Sequence, residues 1–148
     1  MFENRVKKML EEGKVPIGIV ISQIVSDYLG MLLSSAGFDF MLIDTEHSCF
    51  TTETVSNLTS QALGCNLTPL ARIPDDDLRV ISRCLDSGLQ GIMIPMTETV
   101  DQVKRVVERI KYAPIGKRGI SLQNPNTRFN KYPFNDVIEK SNNQTMLI

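Results

Sequence analysis

The sequence has no excess of either charge: 16 Lys and Arg stand against 17 Asp and Glu, giving a formal net charge of −1 and a pI near 5.8. A protein that grips a polyanion needs a basic face, so nucleic acid is not an expected partner. Cysteine is scarce as well. Cys49, Cys65 and Cys84 are an odd number without CxxC spacing, which suggests neither a disulfide framework nor a zinc knuckle and fits a reducing cytoplasm. No apolar run is long enough to span a bilayer, and the opening MFENRVKKMLEEGK is amphipathic, without the apolar centre of a signal peptide. No membrane partner is expected, and residues 1–14 read as a surface helix of a cytoplasmic protein. No glycine-rich phosphate loop follows the first apolar run, which counts against a nucleotide-binding domain. Histidine occurs once, as His47.

What is present is an ordinary globular composition, 42% hydrophobic and 22% charged over 148 residues, for which one domain is the default. Short apolar runs alternate with helix-length segments. PIGIVIS (16–22) reads as a first strand, and 26–36 as a helix with Tyr28, Leu29, Leu32 and Leu33 on its apolar face, stopped by Gly37. FDFMLID (38–44) reads as a second strand, followed by a helix over 51–63 with Val55, Leu58 and Ala62 at helical spacing. TPLARI (68–73) is the third strand. A helix over 77–86, capped from Asp75 to Asp77, presents Leu78, Ile81 and Leu85. GIMIPM (91–96) is the fourth strand. Thr97 or Thr99 caps a fourth helix with Val100, Val103, Val106, Val107 and Ile110 apolar. After an irregular loop, 116–133, come a helix over 134–141 and the start of a fifth strand at TMLI (145–148).

Strands joined by single helices imply parallel βαβ units and an α/β protein. Two architectures compete. A flavodoxin-like sheet has five strands and about this length, whereas a barrel of eight βα units takes roughly 250 residues. Against the open sheet, the chain stops inside an apolar run with no helix after it to cover the sheet, which reads as a cut.

In either architecture the chemistry gathers where strands exit into loops. The second strand exits with Asp44, Glu46 and His47, the third with Arg72, and the fourth with Pro95 and Thr97. Two carboxylates, an imidazole and a guanidinium suit binding a small anion and moving a proton. Arg offers a fixed fork of donors to a carboxylate or oxyanion, and His titrates near neutral pH. A carboxylate beside the imidazole would raise its basicity. By alternation Asp44 and Glu46 point the same way if the strand continues. Plainer roles stand beside these: a strand-end Asp often caps a helix, a lone His is often an ordinary surface or packed residue, and Arg72 could pair with Asp75 or Asp76. The methionines and cysteines read as packing residues, although Cys49 lies close to the proposed site.

The segments AGFDFMLIDTEHS, LARIP and RCLDSGLQGIMIPMTETVDQVKRVVERIKYAPIGKRGIS resemble the HpcH/HpaI family of metal-dependent pyruvate aldolases, of the phosphoenolpyruvate and pyruvate barrel superfamily. The D-x-E-H segment, the R-x-P at the third strand, the LDxGxQGxxxPM block and the K-Y-x-P-x-G-x-RG turn occur in the family's order. The resemblance implies a (β/α)8 TIM barrel, of which 1–148 would be a single incomplete domain running from the N-terminal helix (1–14) through about five βα units (15–148) to the start of the fifth strand. It implies reversible aldol cleavage of a 4-hydroxy-2-oxo acid to pyruvate and an aldehyde, with a divalent metal (Mg, Mn or Co) as Lewis acid. His47 matches the family's catalytic base, Arg72 the arginine that stabilises the pyruvate enolate, and Asp86 the aspartate credited with raising the basicity of the histidine.

Asp86 closes the third helix, at the opposite barrel end from His47, so it would reach a neighbouring subunit's site in a homo-oligomer. Asp44 is then the candidate partner of His47 within the chain. Glu46 is assigned to the cofactor side of the site, holding a metal-bound water. The family's metal ligands, a glutamate after the fifth strand and a later aspartate, are expected beyond Ile148. The alternative is a truncated, inactive paralogue or half-barrel that works only by association with another chain, since open parallel edges invite pairing.

Overall fold

The structure, a computed structural model, describes residues 3–74 and 78–148. A first helix, α1 (Arg5–Glu11), is capped by the Asn4 side chain, which accepts from the Lys7 amide at 3.0 Å. Strands and helices then alternate as β1 (Gly18–Ile21), α2 (Leu29–Ser35), β2 (Phe40–Asp44), α3 (Thr52–Gly64), β3 (Thr68–Arg72), α4 (Leu78–Asp86), β4 (Gly91–Met93) and α5 (Val100–Ile110). A short 3-10 turn at Pro125–Thr127, α6 (Phe134–Gln144) and β5 (Met146–Leu147) complete the order. The strands form one sheet, β1-β2-β3-β4-β5, with every pair parallel. Thr99 caps α5 in a reciprocal box with Gln102.

The central strands are buried on both faces, which is why they read as continuous apolar runs rather than as alternating ones. On the helix side, Met41, Ile43, Ala71, Ile73 and Ile92 share a core with Val55, Leu58 and Ala62 of α3, Ile81 and Leu85 of α4, and Val106 and Ile110 of α5. The other face is set by register: Phe40, Leu42 and Asp44 of β2 lie beside Thr68, Leu70 and Arg72 of β3. There large groups sit over glycine. A Cβ on Gly18 would meet the Phe40 ring at 2.3 Å, and one on Gly91 would meet Leu70 Cδ2 at 2.6 Å. Such close approach of a bulky side chain to a neighbouring strand's glycine is how the inside of a curved sheet is filled.

Several expectations are corrected. On α2 only Leu29 and Leu33 of the expected apolar face are buried; Tyr28 and Leu32 are exposed, because α3 covers one side of this helix only. On α5, Val100 and Val103 are likewise exposed. The fourth strand ends at Met93, three residues before its expected limit, and α6 runs to Gln144 rather than Ser141. Cys84 and Met41 are packing residues as expected, but Cys49, Met31 and Met96 are exposed. The expected cap and pairing roles of Asp75, Asp76 and Asp77 lie outside the described residues.

Ile43 is fully buried one residue before Asp44, so packing at that point holds the end of β2 in place. Ile43→Val is expected to lower the unfolding free energy by about 0.5–1.5 kcal/mol and Ile43→Ala by about 2–5 kcal/mol. Urea denaturation followed by circular dichroism measures both.

Candidate active site

The site forms where β2 and β3 end side by side. Asp44 and Arg72 are register partners in a parallel pair, so their side chains leave the same face at the same level. Arg72 closes a two-pronged bridge: Nε donates to Asp44 Oδ1 at 2.9 Å and Nη2 to Oδ2 at 2.7 Å. Asp44 Oδ1 also accepts from the backbone amides of Glu46 at 2.9 Å and His47 at 3.3 Å. One buried carboxylate therefore fixes both the arginine and the loop that carries the histidine. Thr45 ties the same loop to β3, its amide and hydroxyl both donating to the Arg72 carbonyl, and the Ser48 hydroxyl donates to the Asp44 carbonyl.

These contacts set the charge states. The Arg72 fork, joined by the two backbone amides and opposed by burial, holds the Asp44 carboxyl down to about 2. In return, Asp44 raises the Arg72 guanidinium above its ordinary range. The second carboxylate, Glu46, has its Oε2 3.3 Å from Arg72 Nε and 3.7 Å from His47 Nε2. Exposure grades outward: the side chains are 2% exposed at Asp44, 12% at Glu46, 26% at Arg72 and 71% at His47.

Asp44, Glu46, His47 and Arg72 are thus brought together, but in an order that corrects one expectation. The carboxylate facing the imidazole is Glu46; Asp44 is committed to Arg72 and touches His47 only at its backbone amide. Pro95 and Thr97 line a separate open cleft of about 270 Å³ with Pro74, Met96, Gln102 and Arg105. Asp86 lies apart from the four, at the end of α4 before β4 begins. Its carboxylate accepts from Arg118 Nη2 at 2.7 Å, and the buried Arg118 guanidinium stacks 4.6 Å from the centre of the Tyr112 ring. Sequence reasoning missed Arg118, although it lies in the K-Y-x-P-x-G-x-RG turn already singled out as a motif.

Among the described residues no three His, Cys, Asp or Glu side chains gather as a bound metal ion requires. The donor set agrees, since Asp44 is saturated by Arg72 and two amides. These residues do not form a metal site by themselves. No helix among them is long and apolar enough to cross a membrane.

Residues 26–148 match the HpcH/HpaI aldolase/citrate lyase family. The chain belongs to that family. It is 35% identical over 117 residues to the hydroxypyruvate/pyruvate aldolase of Roseobacter denitrificans, covering 79% of this chain and 45% of that protein. Over 147 residues it is 32% identical to the 4-hydroxy-2-oxo-heptane-1,7-dioate aldolase of Escherichia coli, covering 99% of this chain and 55% of that one. The crystal structure of an HpcH/HpaI aldolase from Desulfitobacterium hafniense superposes with a TM-score of 0.90 at 28% identity, over 96% of this chain and 55% of the other. The chain therefore spans about half the length of these family members. Its five parallel strands are the N-terminal part of the family's (β/α)8 barrel.

The low Asp44 value has a sign that can be tested. A carboxyl held at about 2 in the folded state, against an ordinary 3.8, stabilises the fold above pH 4 and loses that contribution as pH falls from about 4 through 2. The loss is of the order of 2 kcal/mol. Urea unfolding across this range is expected to show the decline in the native chain, and Asp44→Asn to remove that component of it.

Proposed function

We propose that this chain supplies the proton-transfer and oxyanion-binding residues of an aldolase that reversibly cleaves a 4-hydroxy-2-oxo acid to pyruvate and an aldehyde. The observation that carries the reading is the Arg72 fork on buried Asp44 beside an exposed His47, in a chain whose relatives are named as aldolases. A guanidinium has five N–H donors in a fixed plane, and the Asp44 bridge engages it through Nε and Nη2. So oriented, Arg72 stabilises the oxygen that becomes negative as the enolate of pyruvate forms. His47 takes the proton of the C4 hydroxyl through a water; the C3–C4 bond breaks, its electron pair passes to the enolate, and the aldehyde leaves. Glu46 keeps the imidazole turned toward the mouth, and were a divalent ion bound, Glu46 would be placed to hold a water on it.

Asp86, clamped by Arg118 at the other end of the sheet, is assigned to the His47 of a neighbouring copy in a homo-oligomer, where it would raise the basicity of that imidazole. The divalent ion implied by the family resemblance, Mg, Mn or Co, would take its carboxylate ligands from outside residues 1–148. The expected setting is the cytoplasm.

A second reading is a half-barrel that acts only by association. It is supported by an open β1 edge and by the exposed apolar side chains Val15, Ile17, Val20, Ile24 and Val25 on and around it. Both readings allow self-association, so light scattering is read together with the assay below: a stable assembly that releases no pyruvate even when paired with the second half of a relative's barrel favours the half-barrel, and a folded monomer counts against it.

The enzymatic reading is tested by co-expressing this chain with the second half of the Escherichia coli relative's barrel and assaying pyruvate release from a 4-hydroxy-2-oxo diacid with Mn or Co. Release is expected only from the pair. His47→Asn is expected to lower it about 10²–10⁴-fold, and Arg72→Lys about 10²–10³-fold. Full release from the chain alone would refute the incompleteness, and release indifferent to His47 would refute the assignment of the base.

A further inference from the structure

We infer that Glu46 is a positioning residue shared between Arg72 and His47, and that an anion arriving at Arg72 transfers it to His47. The inference rests on the reading of Arg72 as the anion-binding group and His47 as the base, and it adds a coupling between them.

A single oxygen makes both contacts: Glu46 Oε2 lies 3.3 Å from Arg72 Nε and 3.7 Å from His47 Nε2. On the arginine side Glu46 is the weaker partner, because Asp44 Oδ1 takes the same Nε–H at 2.9 Å. On the histidine side 3.7 Å is beyond hydrogen-bond length, so Glu46 attracts the ring by charge alone, and only when the ring is protonated. A carboxylate oxygen held by two long contacts, neither of hydrogen-bond quality, is free to favour one partner when the other changes charge. A carboxylate or enolate oxygen at Arg72 would neutralise the attraction of the guanidinium and repel Glu46. The other group within reach of Glu46 Oε2 is the imidazole, whose protonated form the carboxylate would then face without competition from Arg72.

Among the described residues of one copy few other groups lie near this imidazole, and the Asp86 assigned to it from a neighbouring copy is unchanged in every variant compared below. Asp44 reaches only the His47 amide and is saturated by Arg72, and exposed Cys49 lies two residues on. Asp75, Asp76 and Asp77, after β3, lie outside the described residues and stay constant in every comparison below.

Because His47 is the only histidine in the chain, its ring Cε1–H signal can be titrated by NMR without assignment. Arg72→Met is expected to move the titration midpoint up by about 0.5–1 pH unit when Glu46 is present, and by less than half as much in the Glu46→Gln background. An equal rise in both backgrounds would mean that only the through-space loss of the arginine charge is felt, and would overturn the inference, as would no rise. Since Arg72→Met strands the Asp44 carboxylate, the same comparison is repeated with Asp44→Asn/Arg72→Met, which removes both members of the buried pair. Adding oxalate to the unsubstituted chain is expected to raise the midpoint, and to leave Glu46→Gln unmoved. No shift in the former, or equal shifts in both, overturns the transfer. Catalysis is not read in any arm, so these results and the pyruvate-release assay can fail independently.

Discussion

The geometry of the whole site depends on one ion pair, the bridge between Asp44 at the end of β2 and Arg72 at the end of β3. It exists because the two strands are parallel and in a register that makes these residues direct neighbours. A slip of one residue would turn one of the two side chains to the helix-covered face. Burying such a pair costs desolvation of both ions, which their mutual attraction offsets only when the geometry is good and the remaining lone pairs are filled. Both conditions are met here, by the two-pronged contact and by the amides of Glu46 and His47 on the same carboxylate. The yield of the pair is positional: it sets the plane of the guanidinium and the path of the histidine loop together.

The face that carries the pair is graded along its length. Below Asp44 and Arg72 lie Leu42 and Leu70, register partners and buried; above them lie Glu46 and the exposed His47. An apolar floor lowers the local dielectric and strengthens the ion pair that stands on it. The exposed rim leaves the imidazole in contact with water. The order from leucine through fixed charge to titratable group is written on one face of a single strand, Phe40 to Asp44, and the loop after it.

The elements were largely legible in the sequence because each signal was local. The apolar run of β2, the capping Thr99 and the stripe of α3 needed no knowledge of distant residues. Two kinds of feature were not legible. The first depends on what covers a helix: Tyr28 and Leu32 have the right spacing for burial, yet α2 is packed against α3 on one side only. The second depends on pairing across long sequence separation. Asp44 and Arg72 are 28 residues apart and Asp86 and Arg118 are 32 apart, so nothing in the spacing told which carboxylate each arginine would take. The expectation that Asp44 serves His47 failed for this reason. Arg72 is the stronger competitor for that carboxylate, and Glu46 is left facing the imidazole.

The two arginines show how a parallel sheet divides its work. Arg72 lies at the carboxyl end of its strand, paired to a residue of the adjacent strand, and is partly open to solvent. Arg118 lies in a loop near the amino end of β4, buried, stacked on Tyr112 and paired to the last residue of α4. An arginine stacked and enclosed in this way has little freedom, so its contribution is to hold Asp86 and the turn through residues 112–118 against α4. An arginine that is fixed on one side and open on the other can still accept a ligand. Burial, rather than residue type, separates the arginine that anchors from the one still open to a ligand. Closing the sheet with further strands would raise the burial of Arg72, Glu46 and His47 together and strengthen every interaction among them. Asp44, already dry, would change least, which is why it can set the geometry independently of what covers the rest of the site.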